Sequence, residues 1–146
     1  MGLFKIIPEV HLILERDDQF LLLRRYNTGY EDGKYSLVAG HVDGGETFAA
    51  AMAREAWEEA GLQLAGSQLE LVHTMHRLSD TERLSLFFRA SDWQGEPRNV
   101  EPHKCDDLSW FKRQALPDNM VPYIRAALRH YDQGKPYSEF GWTADA

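Results

Sequence analysis

The 146-residue chain is 43% hydrophobic and 27% charged, a composition that suits one folded domain and excludes a disordered or low-complexity protein. Its net charge of −7 excludes a broad nucleic-acid surface, although a nucleotide ligand stays open because a bound divalent cation inverts the local field. The single cysteine, Cys105, rules out an intrachain disulfide and reads as a small buried hydrophobe in a reducing, cytoplasmic compartment.

In chain order, the opening segment MGLFKIIPEVHLILERD is apolar only in patches. Lys5, Pro8, Glu9 and His11 break any signal-peptide core or membrane span. IPEVHLILER reads as a strand, Asp17-Asp18 as a turn and QFLLLRRY as the hairpin partner. NTGYEDGKY, polar and glycine-containing, reads as a surface loop long enough to touch a ligand. SLVAG is a short strand that leads into GHVDGGETFAAAMAREAWEEAGL.

From Thr47 to Ala60 nothing breaks a helix. Ala49, Ala53, Ala56 and Ala60, with Met52, form a small-residue face for close packing on a sheet, and Gly61 supplies the stop. LELVHTMHRL and ERLSLFFRA read as a strand pair around SDT, and LSWF as a last short strand. A second helix is expected from Pro117 to Tyr131, opened by Asp118 or Asn119. With no repeat or linker in view, residues 1–146 read as a single α/β (α+β) domain, a mixed β-sheet sandwiched between helices.

The first helix raises a question of charge. Glu55, Glu58 and Glu59 share one face at i, i+3 and i+4, where like charges cost ~0.2–0.5 kcal/mol per pair. A solvated surface, helped by Arg54 four residues before Glu58, is one account. The other starts from the glycine-rich approach of Gly40, Gly44, Gly45 and Glu46, which can fold backbone and a carboxylate over the first turns. Carboxylates with a backbone carbonyl form a hard-oxygen set suited to Mg²⁺ or Mn²⁺, with phosphate completing the shell.

Gly40, Glu46 and the run Arg54-Glu55-Ala56-Trp57-Glu58-Glu59-Ala60-Gly61-Leu62 resemble the signature of the Nudix hydrolases. The departures are Ala56 at a bulky aliphatic position and Val38-Ala39 where Pro-Gly is usual. The resemblance implies the Nudix fold and hydrolysis of a nucleoside diphosphate linked to another group, by in-line attack of water with metal on the phosphate oxygens. Carried over by position, Glu58 and Glu59 ligate metal, and Glu55 is base or water-orienting group as well as a metal candidate. Arg54 holds Glu55, Glu46 pairs with the helix or completes the outer shell, and the Ala39 carbonyl is a further ligand.

Similarity to MutT-type members, which act on oxidised guanine nucleotides, extends outside the signature. WQGEPRNVE at Trp93–Glu101 resembles their inter-strand segment, making Glu101 a further metal or base candidate. His41 stands where a phosphate-contacting lysine is found, and Arg24 or Arg25 is placed near substrate, with strand alternation letting only one face the cleft. Asn119 is either a base reader or a helix N-cap. Tyr26, Tyr30 and Tyr35 are the aromatics best placed to stack on a base, and Tyr35 is taken as substrate-binding.

His73, His76 and His103 lack zinc spacing with Cys105, and the four tryptophans read as core or rim. The expected partner is therefore a small nucleotide, with no nucleic-acid polymer and no membrane, bound by a monomer or homodimer. A nucleoside triphosphate, including 8-oxo-guanine forms, is the leading substrate. ADP-ribose, a nucleotide sugar or a dinucleoside polyphosphate is the alternative, and a non-catalytic nucleotide sensor is a third reading.

Overall fold

Both faces of the central strands are apolar, and both are covered. A computed structural model describes residues 2–143; the outer ends of the expected 1–146 domain, residue 1 and residues 144–146, lie outside the described residues. The order is β1 (Ile7–Ile13), β2 (Glu15–Arg16), β3 (Gln19–Arg25), β4 (Tyr35–Ser36), β5 (Val38–His41), α1 (Phe48–Ala60), β6 (Leu69–Leu78), β7 (Glu82–Ala90), β8 (Cys105–Lys112), α2 (Pro122–Asp132) and β9 (Tyr137–Phe140).

The strands make two sheets rather than one. The first has the order β5-β1-β7-β6-β9 and is mixed: β1 runs parallel to β7 and β6 parallel to β9, while β1–β5 and β6–β7 are antiparallel. The second is antiparallel, with β3 paired to β2, β4 and β8. The chain passes between sheets at Leu14, which separates β1 from β2 and is fully buried.

Alternation along β1 and β7 distributes side chains to two cores. Val10, Leu12, Leu86 and Phe88 pack with Ala51, Met52, Ala56 and Ala60 of α1. Ile13 and Phe87 pack with Met75, Tyr123, Ile124, Ala127 and Leu128, the last four being residues of α2. A helix on each side of a mixed sheet is thus the observed arrangement. The buried stripe of α1 is Ala51, Met52, Ala56 and Ala60, with Ala49 and Ala53 at its margin.

Three expectations shift. The second helix begins at Pro122, not Pro117, because Val121 is its cap residue and proline suits a first helical position. LSWF is the inner part of the longer β8, drawn out by pairing with β3. β9 closes the first sheet beyond it. Among the described residues no helix is long and apolar enough to cross a membrane.

Candidate active site

The N-terminus of α1 is fixed by Thr47, whose Oγ1 accepts from the Ala50 N–H at 3.0 Å; the helix ends at Gly61 in the left-handed region, φ 66°. Between these caps the acidic face opens on a cleft of about 930 Å³. Glu55, Glu58, Glu59, Glu101, Ala39, His41 and Arg25 all line it. Gly40 makes room for the Glu55 carboxylate: a Cβ there would lie 2.2 Å from both Cδ and Oε1 of Glu55 and would push that group aside. The glycine lets β5 lie directly against that carboxylate.

Arg54 stands behind the acids rather than in the cleft lining. Its Nε and Nη2 donate to the two oxygens of Glu46 at 3.2 and 2.8 Å, in the two-pronged geometry a planar guanidinium favours. Nη1 donates to Glu55 Oε1 at 2.8 Å and to Glu58 Oε2 at 3.3 Å, and Nη2 to the His41 carbonyl at 3.1 Å. Glu46 in turn accepts from the Asp43 N–H at 2.8 Å. Hydrogen bonds from Arg54, then from the Asp43 amide, hold the Glu46 carboxyl below its ordinary range, and the same bond raises Arg54 above its own. Glu46 therefore organises Arg54, and Arg54 fixes Glu55.

Glu59 is half-buried by surface, yet its carboxyl is densely surrounded. Burial, a hydrogen bond shared with Glu55, and the charges of Glu55 and Glu101 push it well above the ordinary carboxylate range; a backbone hydrogen bond from Ala39 opposes them. Glu101 is carried there by the β7–β8 connection, which is tied to the end of α1. The Arg98 N–H donates to the Ala60 carbonyl at 2.9 Å and the Val100 N–H to that of Glu59 at 3.3 Å, occupying acceptors a helix end leaves free. The amides of Lys104 and Cys105 then donate to the Glu101 carbonyl at 2.9 and 3.0 Å.

Glu55, Glu58, Glu59 and Glu101 fit a small hard cation. Among the described residues, no three His, Cys, Asp or Glu side chains are already spaced to enclose one. Mg²⁺ takes one or two carboxylates and leaves positions for water and substrate phosphate. The raised Glu59 carboxyl is the physical argument for fit, because a cation relieves the crowding that burial imposes on it.

Three sequence-based candidates lie elsewhere. Tyr35 is 7% exposed, edge-on to Phe111, and its hydroxyl donates to Asp107; a ring filling the core is not a stacking platform. Arg24 pairs with Asp106 at 2.7 Å outside the cleft lining, whereas Arg25 lines it, as alternation along the strand requires of neighbours. Asn119 neither caps α2 nor lines the cleft, because its Nδ2 donates to the Gly33 carbonyl at 2.9 Å and its own carbonyl accepts from the Tyr35 amide at 2.8 Å. It is a clamp on the 26–34 loop. The aromatic that does line the cleft from that loop is Tyr30, 48% exposed, with the Arg25 guanidinium 5.2 Å from its ring centre.

Sequence reasoning did not single out Glu9, His11, Arg77, Arg83 and Tyr123 as site residues, although all five line the cleft. The available signal was Glu9 and His11, two polar residues alternating on one face of an otherwise apolar strand. His11 is neutral: burial pushes it down to about 4, Nδ1 donates to the Leu86 carbonyl at 3.2 Å and Nε2 accepts from the Tyr123 hydroxyl at 2.9 Å. Cys105 is buried at the cleft edge, its Sγ donating to the Asp107 carbonyl at 3.2 Å.

The NUDIX domain family model matches residues 6–131. The NAD-capped RNA hydrolase NudC of Pseudomonas aeruginosa (strain LESB58) is 31% identical over 128 residues, covering 86% of this chain and 42% of that protein. NudC of Shigella dysenteriae is 30% identical over 118 residues, covering 81% and 44%. The chain thus spans less than half the length of these relatives. Among solved structures, the MutT NUDIX hydrolase of Burkholderia pseudomallei superposes with a TM-score of 0.78 at 28% identity, over 86% of this chain and 98% of that one. The MutT protein of Methanosarcina mazei Go1, at 22% identity and a TM-score of 0.76 over 90% and 97% of the two chains, shares the fold.

Proposed function

The chain belongs to the Nudix family of pyrophosphohydrolases, and on that premise we propose that it hydrolyses a small nucleotide with Mg²⁺ or Mn²⁺ as cofactor, preferring nucleoside triphosphates, oxidised guanine forms included. The supporting observation is the convergence of Glu55, Glu58, Glu59 and Glu101 on one cleft, with the Arg54–Glu46 clamp behind them. Glu58 and Glu59 hold the cation, with Glu101 and the Ala39 carbonyl as further donors. When bound, the cation neutralises phosphate charge and lowers the barrier to attack at phosphorus.

The chain's own residues do the rest. Glu55, fixed by Arg54, accepts the proton of the attacking water; oxygen bonds to phosphorus and the bridging P–O bond breaks, releasing a nucleoside monophosphate and pyrophosphate. His41 and Arg25 meet phosphate oxygens, and Tyr30 offers its face to the base. The whole chain acts as one catalytic domain of the cytoplasm.

A second reading follows from the NudC relatives: a dinucleotide diphosphate such as NAD, whose two nucleotide halves a cleft of about 930 Å³ would accommodate. Incubation of the protein and Mg²⁺ with canonical and oxidised nucleoside triphosphates, NAD, ADP-ribose, a nucleotide sugar and a dinucleoside polyphosphate, with products separated by chromatography, decides the matter. Triphosphates turned over with the highest kcat/KM support the first reading and NAD the second. No turnover of any member refutes both and leaves a nucleotide sensor.

A further inference from the structure

The cleft contains a charged cluster that this chemistry does not use. Glu9 in β1, Arg77 in β6, and Arg83 and Ser85 in β7 stand on three adjacent strands, with Glu9 paired to Ser85 and Arg77 to Arg83 in the sheet register. Oε1 of Glu9 accepts from Arg77 Nη2 at 2.7 Å and from Ser85 Oγ at 3.2 Å. Oε2 accepts from Arg83 Nη1 at 2.9 Å and lies 3.5 Å from His41 Nε2. Both oxygens are committed, so Glu9 has nothing left with which to read a ligand. Its carboxyl, raised by burial but lowered more by neighbouring charge and the two arginine hydrogen bonds, stays ionised. The arginines supply that effect at neutral pH, because His11 is itself uncharged there.

The cluster carries more positive charge than a strand staple requires. Arg77, 5% exposed, is fully accounted for by Glu9, Ser85 and the Tyr123 ring 3.8 Å beneath its guanidinium. One carboxylate balances one of the two arginines, leaving Arg83 in excess. Arg83 Nε is buried without a hydrogen-bond partner, and Nη1 reaches His41 Nε2 at 3.2 Å, a nitrogen that must act as acceptor. Its other charged partner is Asp80 of the β6–β7 turn, at 3.2 Å and 79% exposed, an ion pair that solvent largely screens. Arg83 and Asp80 both line the cleft that holds the four acids.

We propose that Arg83, oriented by Glu9 and guarded by the displaceable Asp80, is a subsite for a phosphoryl group farther along the chain than the reacting phosphorus, so that the cleft selects a triphosphate chain. Its place in turnover rests on the hydrolase reading; its capacity to bind phosphate does not. A carboxylate partner in solvent gives way to a phosphate dianion, which accepts from the same guanidinium with more charge and more oxygens.

The test is calorimetric titration of inorganic pyrophosphate into the metal-free protein with chelator present. Arg83→Gln should weaken binding at least ten-fold, and Arg83→Lys should recover part of it. Asp80→Asn, a change on an exposed turn that leaves the core untouched, should tighten binding several-fold. Glu58→Gln, on the acidic wall, should not weaken it. Equal affinity in Arg83→Gln and wild type, or no tightening in Asp80→Asn, overturns the proposal. With nucleotides, Arg83→Gln should raise KM for triphosphates far more than for diphosphates; an equal rise also overturns it. A protein that binds pyrophosphate through Arg83 yet hydrolyses no nucleotide would refute the hydrolase reading and leave this one standing.

Discussion

Replacing Arg54 with lysine separates a group that positions the base from one that touches substrate. The guanidinium makes five hydrogen bonds, to Glu46 twice and to Glu55, Glu58 and the His41 carbonyl once each. A single ammonium can keep the charge and one strong contact, but not the two-pronged grip on Glu46 together with the bond to Glu55. Losing two of those three bonds, at ~0.5–1.5 kcal/mol net each, predicts a stability loss of about 1–3 kcal/mol. For a chain of this size that lowers the melting temperature by roughly 3–9 °C. The catalytic effect should be larger, since Glu55 loses its orienting partner and a displacement of ~1 Å costs on the order of 10²-fold in rate. Because Arg54 stands outside the cleft lining, KM should move by no more than about two-fold. Initial rates on the best nucleotide at saturating Mg²⁺, with melting curves run in parallel, give both quantities. A raised KM at unchanged kcat would refute the positioning argument and make Arg54 a phosphate ligand.

Gly40→Ala places a methyl group 2.2 Å from Glu55 Cδ, so it should lower kcat by on the order of 10²-fold while nucleotide binding changes little; an unaffected kcat would mean Glu55 is not the base. Glu59→Gln should abolish nearly all turnover yet melt at or above wild type without metal, because the side chain removed is a crowded carboxyl. Near-normal turnover at saturating metal would exclude Glu59 as a ligand. His11 takes its proton only near pH 4 in the folded state, against 6.5 for the free group. As pH falls through that window the unfolded chain binds more protons and stability declines by up to ~3 kcal/mol. His11→Gln keeps a donor and an acceptor without titrating, so urea unfolding at about pH 7 and about pH 4.5 should show a smaller loss than in wild type; an equal loss would place the titrating group elsewhere.

The legibility of the site followed the distance along the chain between its parts. Gly40, Glu46 and the acids of α1 lie within one stretch, where helical spacing and a capping threonine announce the geometry. Glu9, Arg77 and Arg83 come together only because the parallel β1–β7 and antiparallel β6–β7 pairings bring together residues 68 and 74 positions apart. No local period encodes those pairings. The fold is encoded in the same uneven way. Strands with continuous apolar runs were plain, whereas β9, four residues with two exposed, carries little pattern and is defined by its partner β6. Asn119 and Tyr35 have side chains that suit ligand binding, and tertiary contacts recruit both for structure instead.

The tether between the β7–β8 connection and the end of α1 divides that connection into a part free to vary and a part that is not. Arg98, Val100 and the turn at Lys104-Cys105 hold Glu101 from both sides, and Gly61 leaves Arg98 Nε room at 2.7 Å from where a Cβ would stand. Upstream, Trp93 stacks on Trp110 with ring centres 5.9 Å apart. Length variation is therefore confined to the exposed Gln94-Gly95 tip between these anchors. An insertion there grows beside Arg16 and Trp110, outside the cleft lining, and leaves the acids undisturbed, making it the natural splice point for grafting a tag or a reporter. The same number of residues added after Arg98 would carry Glu101 away from its neighbours.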